Sequence, residues 1–222
     1  MCGRFVFHSS SKTIEEALDI QCPSKLKPQY NIAPSQYIAA IRKDNKKNRE
    51  LIFLRWGLIP SWANNSAIGQ HMFNARVETI LEKPSFRQAF KQRRCVILAN
   101  GFYEWSRKEN SKIAYYISSA NCQPFALAGI WESWKDSKTN LFIQTTAILT
   151  TSANNFMSKL HHRMPIIIEL NAVNEWLHGD NNFLKNALSR NPKLRAWEVN
   201  NDVNNARNQG NYLIDPIRKF IS

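Results

Sequence analysis

The residue with the most distinctive chemistry is Cys2, which follows the initiator methionine directly. Aminopeptidases remove Met1 when the second residue is small, and removal would leave Cys2 with a free α-amine beside its thiol. Ordinary pKa values of about 7.7–8.0 for the amine and about 8.5 for the thiol keep part of each group nucleophilic near neutrality. An aldehyde could form a Schiff base with the amine, and the thiol could close it into a thiazolidine. Taken alone, an inert Cys2 is the better interpretation, but three distant motifs change it.

The first motif lies within the segment Phe73–Thr79. Asn74 offers a donor and an acceptor, so it can position a sugar hydroxyl or an aldehyde. Arg76 can grip a phosphate through two parallel hydrogen bonds. In isolation this pattern is more typical of a turn asparagine followed by a surface arginine.

The second motif is the segment Asn100–Trp105, in which Glu104 is surrounded by aromatic residues. Apolar neighbours raise the pKa of a carboxyl group, which would suit Glu104 to general-acid chemistry near neutral pH. An alternating strand with Glu104 facing solvent is about equally consistent with the segment.

The third motif is a histidine pair, His161 and His162, just before a strand that contains Pro165. One imidazole of such a pair can lie in a cleft and act as an acid or a base. Adjacent histidines usually point apart and no further ligand spacing is present, so we expect no metal. Arg163 could contact a phosphate or form a structural ion pair, and the sequence leaves both open.

Two tryptophans bracket the turn-rich segment Trp56–Trp62. Exposed tryptophans in a basic cleft can stack on unpaired bases, although most large aromatics fill the core. We expect Trp56 to be a core residue and Trp62 to be more open.

The elements that must position these residues are mainly strands. Short polar connections between them favour antiparallel pairing and an α+β class. The predicted strands are Gly3–Phe7, Tyr37–Arg42, Leu51–Trp56, Cys95–Ala99, Phe102–Trp105, Ile113–Ser118, Phe125–Trp131, Phe142–Leu149, Pro165–Glu169 and Leu194–Val199. The predicted helices are Thr13–Ile20, Phe86–Lys91, Ala172–Leu177 and Phe183–Leu188, with Ser11, Thr13 and Ser85 as candidate caps.

Two polar segments are predicted to be connections rather than strands or helices. The charged run Arg42–Glu50 predicts a solvated hairpin loop, and the asparagine-rich run Asn200–Gly210 predicts a surface loop. Neither has the length or composition of an interdomain linker, so residues 1–222 are expected to form one domain.

The charge of the chain indicates an anionic partner. Lys and Arg total 30 against 17 acidic residues, which gives a net charge of +13. Nucleic acid is the commonest polyanion that such an excess attracts. A membrane is the rival, but no apolar run is long enough to span a bilayer.

The four cysteines, Cys2, Cys22, Cys95 and Cys122, show no paired zinc-knuckle spacing. Without a signal-peptide pattern at the N-terminus, a cytoplasmic protein with reduced thiols is expected, associated with the nucleoid if the source is bacterial. Cys95 lies in an apolar run and is expected in the core.

The motifs together resemble the SOS-response-associated peptidase (SRAP) family of abasic-site processing proteins. The resemblance runs from Cys2 to about Pro216. It rests on an ordered set of short segments: Met1–Phe5, Trp56–Pro60, Asn74–Arg76, Gly101–Trp105, Gly129–Glu132, Thr150–Asn154 and His161–Pro165.

The resemblance implies one α+β domain with antiparallel β-sheets curled into an open barrel and flanking helices. It implies capture of abasic sites in single-stranded DNA by a thiazolidine crosslink, with lyase and N-terminal self-processing activities as associated possibilities. No cofactor, no membrane contact and a monomer are expected. Catalytic roles carry over to Cys2, Asn74, Glu104 and His161. DNA contacts carry over to Arg4, Arg76, Trp105, Thr150 and Arg163.

Two other functions remain open at this stage. Glutamine amidotransferases of the N-terminal nucleophile class also begin Met-Cys-Gly, but Arg4 and Phe5 replace their small apolar continuation. A noncovalent single-strand binding module would bind intact and abasic DNA alike and would not need Cys2.

Overall fold

The computed structural model describes residues 2–22, 26–108, 111–178, 187–188 and 192–217. Thirteen strands in this part of the chain form two sheets. The strands are β1 Phe5–Phe7, β2 Gln29–Ile32, β3 Tyr37–Lys43, β4 Arg49–Trp56, β5 Asn74–Arg76, β6 Arg94–Ala99, β7 Gly101–Lys108, β8 Ser111–Ser119, β9 Phe125–Lys135, β10 Phe142–Ser152, β11 Arg163–Pro165, β12 Ile167–Ile168 and β13 Leu194–Glu198. The α-helices are α1 Ser11–Leu18, α2 Pro84–Gln92 and α3 Val173–Leu177.

The smaller sheet has five strands in the order β13-β8-β7-β1-β2, all of them antiparallel to their neighbours. Its centre, β7, carries the Glu104 motif and pairs with β1, where Phe5 lies opposite Phe102. This pairing brings the N-terminal segment of the chain alongside the glutamate strand.

The larger sheet closes on itself. It runs β11-β10-β4-β3-β6-β9-β12, and an additional antiparallel pairing of β10 with β9 joins the ring into a five-stranded barrel. The barrel confirms the expected fold class and shows that the ring is closed. Most pairings between described strands are antiparallel, but β10 runs parallel to both β4 and β5. These two parallel pairings depart from the antiparallel pattern that the short connections favour, and local sequence does not encode them.

The main core contains residues of both sheets. Phe5 and Phe102 from the smaller sheet pack with Trp56 from the barrel, and all three are buried. Phe5 meets Trp56 edge to face at 5.2 Å between ring centroids. Cys95 is also buried in this core. Trp56 and Cys95 are therefore core residues, as the sequence predicts.

A second core covers the other face of the smaller sheet. Successive strand residues point to opposite faces, so Tyr103 and Tyr116 lie in this second core while Phe102 and Ile117 lie in the first. The segment after β13 covers it, with Val203 and Leu213 fully buried. The predicted surface loop Asn200–Gly210 does lie at the surface, with most of its residues exposed, and buried Val203 anchors it to this second core.

The helices begin at different residues from those predicted. Ser10 caps α1, with its Oγ accepting a hydrogen bond from the Thr13 N–H over 3.1 Å, so Ser11 and Thr13 are not the cap. Helix α2 begins with Pro84 after Lys83 and has no side-chain cap, so Ser85 is not a cap either. Proline fits there because the first helical N–H has no intrahelical partner.

Two further predictions can be placed on the structure. The hairpin loop is shorter than predicted, because Arg42 and Glu50 lie opposite each other in strands and form an ion pair at 2.6 Å. The predicted helix Phe183–Leu188 lies mostly outside the described residues. No helix in the described part of the chain is both long and apolar enough to cross a membrane.

Candidate active site

Cys2 is fully buried and its position is fixed from two sides. The Asn74 Nδ2 amide donates a 2.8 Å hydrogen bond to the Cys2 carbonyl oxygen. The Cys2 Sγ lies 4.0 Å from the Arg4 carbonyl oxygen. Burial, together with the nearby charge of Glu104, raises the pKa of the thiol well above its ordinary value. The thiol is therefore protonated at neutral pH, and the negative charge of Glu104 favours this protonated form.

Glu104 is buried on the face of β7 that points into the main core. Its direct cross-strand neighbour on β8 is Tyr115, also buried. The solvent-facing alternative for Glu104 is wrong, because β7 has both of its faces covered. A buried carboxyl beside a buried thiol is a local arrangement suited to moving a proton.

Asn74 and Arg76 both belong to β5, a strand that the sequence pattern did not predict. β5 pairs in parallel with β10, so that Asn74 lies opposite Ile148 and Arg76 opposite Thr150. The Asn74 Oδ1 is buried without a hydrogen-bond partner among the described residues. Arg76 is exposed. One end of β5 thus holds Cys2, and the other presents a cation to solvent.

His161 has a defined orientation. Its Nδ1 accepts a 2.9 Å hydrogen bond from the backbone N–H of Arg163. A backbone N–H can only donate, so the neutral ring carries its proton on Nε2. His162 is exposed and stacks on His161 at 4.3 Å between ring centroids. The charge of His161 lowers the pKa of His162, with smaller contributions from neighbouring arginines.

The side chain of Arg163 is committed to protein partners. Its two terminal nitrogens donate to the two carboxylate oxygens of Glu78 over 2.7 and 2.9 Å. Nη2 also donates to the carbonyl and hydroxyl oxygens of Thr150 over 2.8 and 3.1 Å. Of the two alternatives that the sequence left open, the structure shows the structural ion pair. Thr150 is itself buried behind it.

Glu78 is the site residue to which the sequence analysis assigned no role. Burial alone would raise its pKa, but the hydrogen bonds from Arg163 outweigh this effect and hold the pKa below its ordinary value. The two residues are 85 positions apart in the chain. The only signal for Glu78 in the sequence is its position two residues after Arg76, within the first motif.

Two of the predicted DNA contacts lie on the other side of the smaller sheet. Trp105 follows Glu104 on β7 and so points to the opposite face, where its Nε1 donates to Asn204 Oδ1 over 2.7 Å. Arg4 donates to Asn31 Oδ1 over 2.7 Å and to the Val203 carbonyl over 2.9 Å. Both side chains tie down the segment after β13, and the structure does not bring them together with the Cys2 cluster.

The remaining predicted aromatic is open to solvent. Trp62 is 59% exposed, as the sequence predicts.

Among the described residues, no group of three or more His, Cys, Asp or Glu side chains has the proximity needed to hold a metal ion.

The chain as a whole is similar to known proteins. The family profile of SOS response associated peptidase (SRAP) matches residues 1–206. The chain is 40% identical over 224 aligned positions to the abasic site processing protein YoaM of Bacillus subtilis, covering 97% of this chain and 98% of that one. It is 31% identical over 216 positions to the abasic site processing protein HMCES of Xenopus tropicalis, covering 83% of this chain and 64% of that one.

A solved structure shares the fold. An X-ray structure of a protein from Bacteroides thetaiotaomicron superposes with a TM-score of 0.86 at 25% identity, covering 98% of this chain and all of that one. Sequence and fold agree over nearly the same residues. This chain therefore belongs to the SOS response associated peptidase (SRAP) family.

Proposed function

We propose that this protein captures abasic sites in single-stranded DNA and forms a thiazolidine crosslink through Cys2 after loss of Met1. The observation that carries the proposal is the position of Cys2: its carbonyl is held by Asn74 and its thiol lies beside Glu104. The names of the relatives YoaM and HMCES support abasic-site processing as the setting for this chemistry.

Ring opening is the first step. An abasic deoxyribose is mainly a closed hemiacetal, so it must release its aldehyde before an amine can attack. Glu104 donates a proton to the ring oxygen, the C1′ hydroxyl loses its own proton to solvent, the C1′–O4′ bond breaks, and Glu104 is left as a carboxylate. Asn74 positions the sugar, and its buried Oδ1 can accept a hydrogen bond from it.

Schiff-base formation follows. The α-amine of mature Cys2 attacks C1′ to give a carbinolamine, which loses water to leave a C1′=N bond. His161 transfers the protons of this step through Nε2, the nitrogen that its bond to Arg163 leaves protonated in the neutral ring. General acid–base assistance of this kind typically contributes about 10²–10⁴-fold.

Thiol addition completes the crosslink. The Cys2 sulfur bonds to C1′, the C=N bond becomes a single bond, and the nitrogen gains a proton. Because the thiol is protonated at neutral pH, a base must remove its proton, and we assign this role to the Glu104 carboxylate, whose charge acts on the thiol. Closure removes the Schiff base that would otherwise allow β-elimination and strand cleavage, so lyase activity is a side path of the same intermediate.

The DNA track follows from the charge of the site. Arg76 is exposed at the end of β5 and supplies a phosphate contact. Arg163 and Thr150 bind each other and support the site without contacting DNA. Arg4 and Trp105 would contact DNA only after their present hydrogen bonds to the protein are broken. Single-stranded DNA is the preferred substrate, because a duplex would keep the sugar from reaching a buried Cys2.

The remaining expectations belong to the same proposal. Residues 1–222 act as one domain, as a monomer without cofactor, in the cytoplasm where the DNA is. Any peptidase activity is restricted to removal of the N-terminal residue.

The test is a denaturing gel after incubation with single-stranded DNA that bears one abasic site, together with the intact mass of the protein. A heat-stable adduct is expected only with protein that lacks Met1. Cys2→Ala should give none, while its noncovalent DNA binding persists. A stable adduct with protein that retains Met1 would refute the aminothiol mechanism, and equal binding of intact and abasic DNA without any adduct would identify a noncovalent module.

A further inference from the structure

A second cleft lies at the end of the barrel formed by the β3–β4 hairpin. It has a volume of about 1040 Å³. One wall is the hairpin, which contributes Lys43, Lys47 and Arg49, and the facing wall contains Arg93 and Arg94. Five cations therefore face the cleft against two carboxylates, Asp19 and Asp44.

The facing-wall arginines have structural roles. Arg93 Nη2 donates to Glu132 Oε2 over 2.7 Å. Arg94 stacks on the rings of Phe90 and Trp176 at 4.5 and 4.6 Å. These contacts fix that wall in position.

The hairpin cations differ, since none of the three forms an ion pair with any residue of the described chain. Burial first, and then the charge of Lys47, lowers the pKa of Lys43. These two cations lie on the same wall and repel each other, and an anion bound beside them would offset that repulsion.

The hairpin turn is preformed. Asp44 Oδ1 accepts hydrogen bonds from the backbone N–H groups of Lys46 and Asn48 over 2.8 and 2.7 Å. The Asp44 carboxylate therefore stabilises the turn. Lys43 and Lys47 form no ion pair with it and are available to bind an anion. A rigid turn loses less conformational entropy on binding than a flexible loop.

The cleft is far from Cys2. β4 begins at Arg49, which lines the cleft, and ends at Trp56. Trp56 Nε1 donates to the Phe73 carbonyl over 2.8 Å, directly before Asn74. Seven strand steps of about 3.3–3.4 Å separate the two ends of β4 by about 23 Å. That distance corresponds to about seven phosphates along one strand at B-form spacing.

We propose that the hairpin cleft binds the phosphate backbone of the DNA that flanks the damaged nucleotide, as a second contact remote from Cys2. The inference rests on the proposed function in one respect, namely that the anion at both ends is DNA. A regularly spaced polyanion can reach both the cleft and the active site, and the net charge of +13 favours it over an isolated small anion.

The experiment compares two triple variants. The first variant removes the three cations of the hairpin wall: Lys43→Ala/Lys47→Ala/Arg49→Ala. The control variant removes the same charge from exposed positions outside the cleft lining: Lys12→Ala/Lys135→Ala/Lys138→Ala. Thermal unfolding of both variants identifies any loss of folding. Binding of a 20-nucleotide, unmodified single strand is measured by fluorescence anisotropy over a range of salt concentrations.

The hairpin variant should bind the 20-mer about 10²-fold more weakly than the control variant at about 0.1 M salt. Its slope of log K against log salt should fall by about 2, since three lost phosphate contacts each remove about 0.7 on single strands. Equal affinity and equal slope in the two variants would overturn the proposal. Loss of binding to a fluorescent poly-glutamate peptide with no loss of DNA binding would overturn it in favour of an acidic protein partner.

Crosslinking separates this inference from the proposed function. With protein below its dissociation constant, a 20-mer with a central abasic site should crosslink more slowly to the hairpin variant by the same factor as its affinity falls, while a 6-mer, too short to reach the cleft, should be unaffected. If neither oligonucleotide forms an adduct with the parent protein, the proposed function fails, and the anisotropy measurements still decide whether the cleft binds DNA.

Discussion

Arg163 positions His161 through its backbone while its side chain anchors Glu78. The N–H of Arg163 donates to His161 Nδ1 over 2.9 Å, and both terminal nitrogens of its guanidinium bind the Glu78 carboxylate. The orientation of the imidazole is therefore mechanically linked to an ion pair that crosses from β11 to the segment after β5. This link makes Glu78 a positioning residue rather than a catalytic one.

Glu78→Gln should destabilise the protein by about 1–2 kcal/mol at pH 7, because the guanidinium of Arg163 is buried and loses a charged partner. The folded state lowers the pKa of Glu78, so the unfolded state binds its proton more tightly. The stabilisation is therefore complete above the ordinary value of 4.5 and is lost as pH falls through the lower folded value. Urea unfolding at pH 7 and near pH 3 measures both limits.

The matched control for this variant is Glu16→Gln. Glu16 forms an exposed pair with Lys12 at 3.8 Å, and such pairs contribute about 0–1 kcal/mol. A Glu78→Gln effect that is the same at both pH values would contradict the ionic origin of the stabilisation.

Asn74→Asp should slow crosslink formation by about tenfold or more. The substitution replaces the amide donor to the Cys2 carbonyl with an acceptor, which removes one hydrogen bond and adds repulsion. Single-turnover kinetics with abasic single-stranded DNA give the rate. Asn121→Asp is the control, because Asn121 uses only its acceptor oxygen towards the Gln123 N–H and retains that bond as Asp. Equal rates for the two variants would mean that Asn74 does not hold Cys2 in place.

Glu104→Gln and His161→Ala should impair different steps. Glu104→Gln lacks the acid for ring opening and should slow adduct formation by about 10²-fold or more. His161→Ala should change Schiff-base handling and adduct reversal more than initial DNA binding. With the aldehyde already open, Glu104→Gln should recover the borohydride-trapped Schiff base but not the heat-stable adduct, because thiol closure still lacks its base, whereas His161→Ala should recover neither. Wild-type rates of formation and reversal in both variants would refute the two assignments.

Cys2→Ser separates the two nucleophiles of the N-terminal residue. Serine still permits removal of Met1 and keeps the α-amine, but its hydroxyl closes the ring far less readily than sulfur. Borohydride should trap a covalent adduct, and some strand cleavage should accompany it, whereas little adduct should survive denaturation without reductant. An adduct as durable as that of the wild type would show that sulfur is not the closing atom. Intact DNA binding without a borohydride-trapped adduct would exclude the amine as the attacking group.

The sequence by itself determined the local features of the site. Its apolar periodicity identified most strands, including the one that carries Glu104, and the core position of Trp56. Cys2 and the ordered motifs are sufficient to identify the family. These features are local because they depend on side-chain type and on the two-residue period of a strand.

The tertiary structure alone decided which residues meet. Glu104 and Trp105 are adjacent in sequence, yet they face different cores because a second core, anchored by Val203, covers the outer face of β7. The Glu78–Arg163 pair spans 85 positions, and the parallel pairing of β4 with β10 joins strands far apart in the chain. Local propensity does not specify such contacts, because their free energy comes from closing the barrel and burying both cores together.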